Sequence, residues 1–156
     1  MRLLLVATVL LQPAVFLPHR HVPPSLPTRQ YADDMRAKNI EDILSLYTPD
    51  ATFTDPDGKT FSTPDGLRQL YEQAFATYDS DVTFTVKDLN VKYADSLASS
   101  AVEADSYEEV LRTRATKTMQ QVCGDCIFTW ERQSDGQWLI ASQRWTSKPC
   151  SAAPVI

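Results

Sequence analysis

From Tyr31 to Tyr78 the apolar residues recur every three or four positions, and from Ser80 onward they recur every second one. The first half of the chain therefore predicts helices and the second half strands. Tyr31, Met35 and, past a break at Lys38-Asn39, Ile40, Ile43, Leu44 and Tyr47 form one buried stripe, with Thr28 as the expected N-cap. Thr48-Pro49-Asp50 ends this helical region, because the residue before a proline is driven out of the α basin. Residues 51–55 alternate as a short strand, and Pro56-Asp57-Gly58 supplies a turn. Thr63-Pro64-Asp65 opens a second helix, with Thr63 as cap, Pro64 at the first position and Asp65 at the positive end of the dipole. Leu67, Leu70, Tyr71, Ala74, Phe75 and Tyr78 are its apolar face.

Val82, Phe84 and Val86 then alternate on one phase and Leu89, Val91 and Tyr93 on the other, which predicts a β-bulge near Lys87-Asp88. Residues 98–107 read as a weaker strand. Residues 108–117 are polar and fit strand, loop or a helical turn. Residues 119–132 and 138–147 are two long strands around Gln133-Ser134-Asp135-Gly136, a hairpin signal. Helices first and an antiparallel meander afterwards mean an α+β fold. If Arg132 faces Gln137 in that hairpin, Cys123 lies opposite Thr146 and Cys126 opposite Gln143.

A length of 156 residues corresponds to one ordinary domain. With 43% hydrophobic residues the chain can fill a core, and with a net charge of −5 and scattered basic residues it has no stripe to neutralise a phosphate backbone. No nucleic-acid partner is expected. Arg2 followed by the apolar run at 3–11 matches a secretory leader, and even counted through Leu17 the stretch is too short to span a bilayer comfortably. The expected organisation is a leader and proline-rich linker at 1–26, one domain at 27–150 and a tail at 151–156. The mature protein is then exported, secreted or periplasmic, and free of the membrane.

Both histidines, His19 and His21, fall in that leader region, so the domain holds none. This excludes a Ser-His-Asp or Cys-His catalytic site and the usual histidine-based metal sites. No metal and no cofactor are expected. Cys123-Gly124-Asp125-Cys126 runs into an alternating strand, where no helix dipole would activate a thiol. In an exported protein its three cysteines default to one structural disulfide, and Cys123–Cys126 and Cys123–Cys150 are both open. Arg112, Arg114 and Lys117, among Glu103, Asp105, Glu108 and Glu109, read as a solvated, charge-paired rim.

The segment LYTPDATFTDPDG at 46–58, Gly66 at the opening of a helix and the closing DGQWLIASQRW at 135–145 resemble the SnoaL-like group of the nuclear transport factor 2-like superfamily. The resemblance covers about residues 28–148. It implies a cone-shaped half-barrel: a strongly curved antiparallel sheet packed on N-terminal helices, enclosing an apolar cavity and often dimerising through the sheet. The group spans enzymes and non-enzymatic binding domains, so it leaves open whether this chain is an enzyme. Compared with ketosteroid isomerase, Asp55 stands where that family has its carboxylate base and Tyr31 where it has the tyrosine that donates to the enolate oxygen. The family's protonated aspartate falls on Cys126, a weaker donor. The resemblance thus implies Asp55 and Tyr31 as catalytic candidates for proton abstraction next to a carbonyl, in an isomerase, cyclase or lyase. Phe53, Phe84, Cys126, Phe128, Trp130 and Trp145 are candidates to hold a small apolar molecule, although the aromatics could equally fill the cone. A non-catalytic ligand-binding or dimerisation module of the same fold is the alternative.

Overall fold

A computed structural model describes residues 26–94 and 97–151. The expected leader at 1–26 lies outside the described residues except for its last residue, and the tail at 151–156 except for its first. The elements run α1 (Thr28–Ala37), α2 (Ile40–Ser45), β1 (Tyr47–Thr54), β2 (Thr60–Ser62), α3 (Asp65–Thr77), β3 (Tyr78–Ala94), β4 (Leu97–Thr113), β5 (Met119–Arg132) and β6 (Trp138–Lys148). The fold is α+β. One curved, unclosed six-stranded sheet, in the order β2-β1-β6-β5-β4-β3, packs its concave face on the helices.

The sheet is mixed rather than wholly antiparallel. β1 pairs with β6 in parallel, while every other neighbouring pair is antiparallel. Each antiparallel pair consists of strands that follow one another in the chain. β1 and β6 are separated by most of the chain, so nothing forces their directions to oppose.

Local signals decide several boundaries. Lys38 takes the left-handed conformation that ends α1, and the Asn39 side chain accepts from the Asp42 amide to start α2. Neither threonine acts as a helix cap. The Thr28 hydroxyl donates to Glu103 Oε2 at 2.6 Å. The Thr63 hydroxyl donates to the Pro49 carbonyl at 2.7 Å, with the Thr48 and Ala51 carbonyls at 3.2 and 3.3 Å, and so ties the start of α3 to β1. In both cases a long-range acceptor outcompetes the local amide. The strand register shifts between Val86 and Asp88, where the phase of the apolar pattern changes. The β5–β6 hairpin pairs Arg132 with Trp138, and a second shift between Thr129 and Trp130 brings Cys126 opposite Trp145 and Cys123 opposite Lys148. The expected partners Gln143 and Thr146 are therefore displaced. Cys123 is bonded to Cys150, which leaves Cys126 as a free, buried thiol.

On β4 the side chains of Ala101, Glu103, Asp105 and Tyr107 all face inward, in strict alternation with Val102, Ala104 and Ser106. Glu103 and Asp105 are thus buried, not part of a solvated rim. The period-two register that takes Ala101 and Tyr107 into the core takes the two acids with them. Arg114 is half exposed and pairs with Asp79 on β3 at 3.8 Å, an acid outside the expected set.

Candidate functional site

α1 carries Tyr31 and Met35 on its inward face, α3 carries Leu70, Tyr71 and Ala74, and β1 carries Phe53 near its end, with Asp55 just beyond the strand. These residues, with Tyr107 and Trp145 from the sheet, enclose a largely apolar cavity of about 300 Å³. The rings of Tyr107 and Trp145 meet with centroids 4.4 Å apart and form part of its wall. That wall depends on Gly124. A Cβ there would stand 1.8 Å from the Thr146 carbonyl oxygen and 2.4 Å from the Tyr107 ring. Gly124→Ala is therefore expected to destabilise the protein by about 3 kcal/mol. Guanidinium unfolding reads this directly, and an unchanged midpoint would contradict the packing described.

Behind the cavity runs a buried hydrogen-bonded chain. Tyr31 Oη lies 3.0 Å from Tyr71 Oη, which lies 2.8 Å from Tyr47 Oη, and Tyr47 donates to Gln143 Oε1. Gln143 in turn directs its Nε2 at Cys126 Sγ, 3.7 Å away. A hydroxyl has one proton, so this order fixes the direction of each bond. Tyr47 spends its proton on Gln143, Tyr71 therefore donates to Tyr47, and Tyr31 donates to Tyr71. The Tyr31 oxygen keeps its lone pairs and has no proton left to offer. Burial pushes the Tyr71 phenol up to about 12 and holds those of Tyr31 and Tyr47 well above their ordinary value. All three are neutral at physiological pH.

Asp55 lies on the wall of the same cavity as Tyr31 and is not hydrogen-bonded to it. Its Oδ1 accepts from the backbone amides of Asp57 at 3.0 Å and Lys59 at 2.8 Å, which holds the carboxylate across the Pro56-Asp57-Gly58 turn. Of the apolar candidates, Phe53 and Trp145 line this cavity. Phe84 lines a separate one on the other side of α1. Phe128, Trp130 and Cys126 are buried behind the walls. The Phe128 ring packs on Tyr31 at 5.8 Å, on Phe84 at 5.6 Å and on Trp130 at 5.4 Å. Burial, helped by the charges of Asp105 and Glu103, pushes the Cys126 thiol well above its ordinary value. It is a core residue with a weak polar contact.

Sequence reasoning passed over Tyr47, Tyr71 and Gln143 as site residues, and it placed Asp105 and Glu103 outside the core. Tyr47 and Tyr71 were visible as apolar-face positions of helical segments, where a phenol needs a partner when buried. Asp105 is 1% exposed, and neither of its carboxylate oxygens has a hydrogen-bond partner among the described residues. Burial and the neighbouring Glu103 charge raise it to about 7. Burial also holds the Glu109 carboxyl, on the cavity wall, above its ordinary value. Among the described residues no group of three or more His, Cys, Asp or Glu side chains could hold a metal ion.

Residues 28–140 match the family model described as the SnoaL-like domain. The chain belongs to the SnoaL-like domain family. Solved structures agree on the fold. A ketosteroid isomerase-like protein from Erwinia carotovora atroseptica is 18% identical, with a TM-score of 0.69 over 79% of this chain and 92% of that one. A conserved protein from Planctomyces limnophilus is 15% identical, with a TM-score of 0.70 over 79% of this chain and 91% of that one. A nuclear transport factor 2-like superfamily protein from Salmonella enterica serovar Typhimurium is 14% identical, with a TM-score of 0.62 over 82% and 89%. No curated protein sequence matches this chain. At these identities the structural likeness establishes the fold and leaves the activity to the residues of this site.

Proposed function

We propose that this chain is a small-molecule-binding protein whose cavity beneath α3 takes a flat apolar ligand carrying one hydroxyl group. The observation that carries this reading is the apolar cavity of about 300 Å³ with Tyr31 among the residues of its wall. The direction of the tyrosine chain selects the ligand's polar group. With its own proton committed to Tyr71, Tyr31 accepts from a ligand hydroxyl better than it donates to a ligand carbonyl. The test is calorimetric titration with 2-naphthol and with 2-methoxynaphthalene, which has the same shape and no donor. 2-Naphthol is expected to bind about tenfold tighter, and Tyr31→Phe to remove that preference. Equal binding of the two probes by the wild type would refute the assignment.

A second reading, proton abstraction by Asp55 next to a ligand carbonyl, has one observation in its favour. Asp55 and Tyr31 share a cavity without bonding to each other, as a base and an electrophile acting on different atoms of one substrate must. Two backbone amides on Oδ1 tie the carboxylate to the Pro56-Asp57-Gly58 turn, the role of a turn residue. With the Tyr31 proton committed to Tyr71 and the Cys126 thiol buried behind the wall, neither supplies a donor for an enolate. Proton–deuterium exchange at the α-carbon of 2-tetralone separates the readings. Exchange accelerated by the wild type and lost in Asp55→Asn would replace binding by catalysis as the function. Exchange at the buffer rate in both is the outcome expected here.

The location and assembly remain part of this proposal. The Cys123–Cys150 bond supports export to an oxidising compartment, secreted or periplasmic. No helix among the described residues is long and apolar enough to cross a membrane. Val102 and Ile127, 40% and 46% exposed on the outward face of the sheet, support a homodimer through that face.

A further inference from the structure

A second cavity, of about 480 Å³, lies between α1 and the β3–β4 pair. The rings of Tyr31, Phe84 and Phe128, with centroids 5.6–5.9 Å apart, stand between it and the cavity of the proposed ligand. The two share no lining residue. We propose that this second cavity binds a small organic ammonium ion, with its charge on Glu103 and its apolar body against Ala32, Phe84 and Leu89.

Glu103 lies on the cavity wall yet is only 4% exposed, so its carboxylate reaches the interior of the protein from the cavity side. Its two hydrogen-bond donors are both neutral and both converge on Oε2. The Thr28 hydroxyl lies at 2.6 Å and the Trp130 indole N–H at 2.9 Å. Oε1 takes part in neither bond. Two residues along the same face, Asp105 is buried with no hydrogen-bond partner, and no Lys, Arg or His bonds either acid among the described residues. Glu103 is thus held in the core by neutral donors alone and Asp105 by none, an arrangement that costs folding energy unless a cation is supplied from outside.

The surroundings choose the kind of cation. No third carboxylate, cysteine or histidine joins the pair to complete a metal site among the described residues. An ammonium needs only one carboxylate, and it brings N–H donors of its own. The remaining wall, with Ala32, Phe84, Val86 and Leu89, suits a hydrocarbon or aromatic body. Arg36 at the rim does not cancel the Glu103 charge, because its guanidinium is held by Asp33 and Asp81, the latter at 2.9 Å. Arg29, also at the rim, is exposed and screened by solvent.

The test is an amide NMR titration of the oxidised full-length domain with three probes of similar shape and different charge: 2-phenylethylamine, 2-phenylethanol and 3-phenylpropanoate. At neutral pH the amine is expected to bind about tenfold tighter than the alcohol and to move the signals of Ala32, Phe84 and Leu89, leaving Phe53 and Leu70 in place. Glu103→Gln keeps an acceptor oxygen for Thr28 and Trp130 and is expected to bring amine and alcohol to equal affinity. The proposal is overturned if the wild type does not prefer the amine, if the carboxylate binds best, or if the shifts fall on the cavity beneath α3. It is also overturned if a folded Glu103→Gln keeps the preference. Should that variant not fold, the wild-type charge series alone decides. Failure here leaves the 2-naphthol site untouched, because that site has its own probe and its own residues.

Discussion

Asp105→Asn is expected to flatten the pH dependence of stability between pH 4 and pH 8. The Asp105 carboxyl is raised from an ordinary 3.8 to about 7 by burial and then by the Glu103 charge. Its folded pKa therefore lies above its unfolded one, so the folded state holds the proton more tightly across that window. Stability contributed this way is fully present below pH 3.8 and is lost as the pH rises through 7. A difference of about 3 units corresponds to about 4 kcal/mol. Asn cannot ionise, so the variant should gain about 4 kcal/mol on the wild type between pH 4 and pH 8. Surface acids held low by ion pairs, such as Asp79 and Asp125, have the opposite slope but are common to both proteins and cancel in the comparison. Urea unfolding at several pH values measures the difference. Parallel stability curves for the two proteins would show that Asp105 is not a buried, poorly solvated acid.

Loss of the Cys123–Cys150 bond should be nearly as costly. The bond spans 27 residues and encloses the β5–β6 hairpin, including Trp130 and Trp145. Cross-linking a loop of that length restricts the unfolded chain by about 3.5 kcal/mol. The Cys123→Ser, Cys150→Ser double variant is expected to lose about that much in denaturant unfolding and to become insensitive to reductant. The third cysteine does not confuse the experiment, since Cys126 is buried in the core. A loss well under 1 kcal/mol would mean that the hairpin end is already restrained in the unfolded state.

The reasons why some of this was legible in the sequence and some was not are local. The bulge between Val86 and Asp88 shows as a change of phase among apolar residues, and the β5–β6 hairpin shows as an alternating pattern on both sides of a glycine turn. Both signals span a few neighbouring residues. The parallel pairing of β1 with β6 has no local signal, because it depends on how two ends of the chain meet. The hairpin register is offset by one residue at the turn, where Arg132 pairs with Trp138, and by one more for a related reason. The shift between Thr129 and Trp130 lies inside a continuous apolar alternation and leaves no mark on it.

The candidate site divides along the same line. Tyr31 and Asp55 were found through a family resemblance, and they do lie on one cavity. Tyr71 and Gln143 reach Tyr47 from elements 24 and 96 residues away, a distance that no window of the sequence covers. Glu103 and Asp105 were misplaced because their charge was read before their register. The alternation that runs from Ala101 to Tyr107 outweighs the solvation of two carboxylates, and that conflict makes them informative.

The central claim is that the cavity beneath α3, at Tyr31, receives a hydroxyl-bearing apolar molecule. It is tested most directly by intermolecular nuclear Overhauser effects between 2-naphthol and the protein. The account predicts contacts from the naphthol ring to Tyr31, Phe53, Leu70 and Trp145, and none to Leu89 or Ala32 in the cavity across α1. Contacts confined to the outer surface of the sheet, or to the cavity across α1, would contradict it.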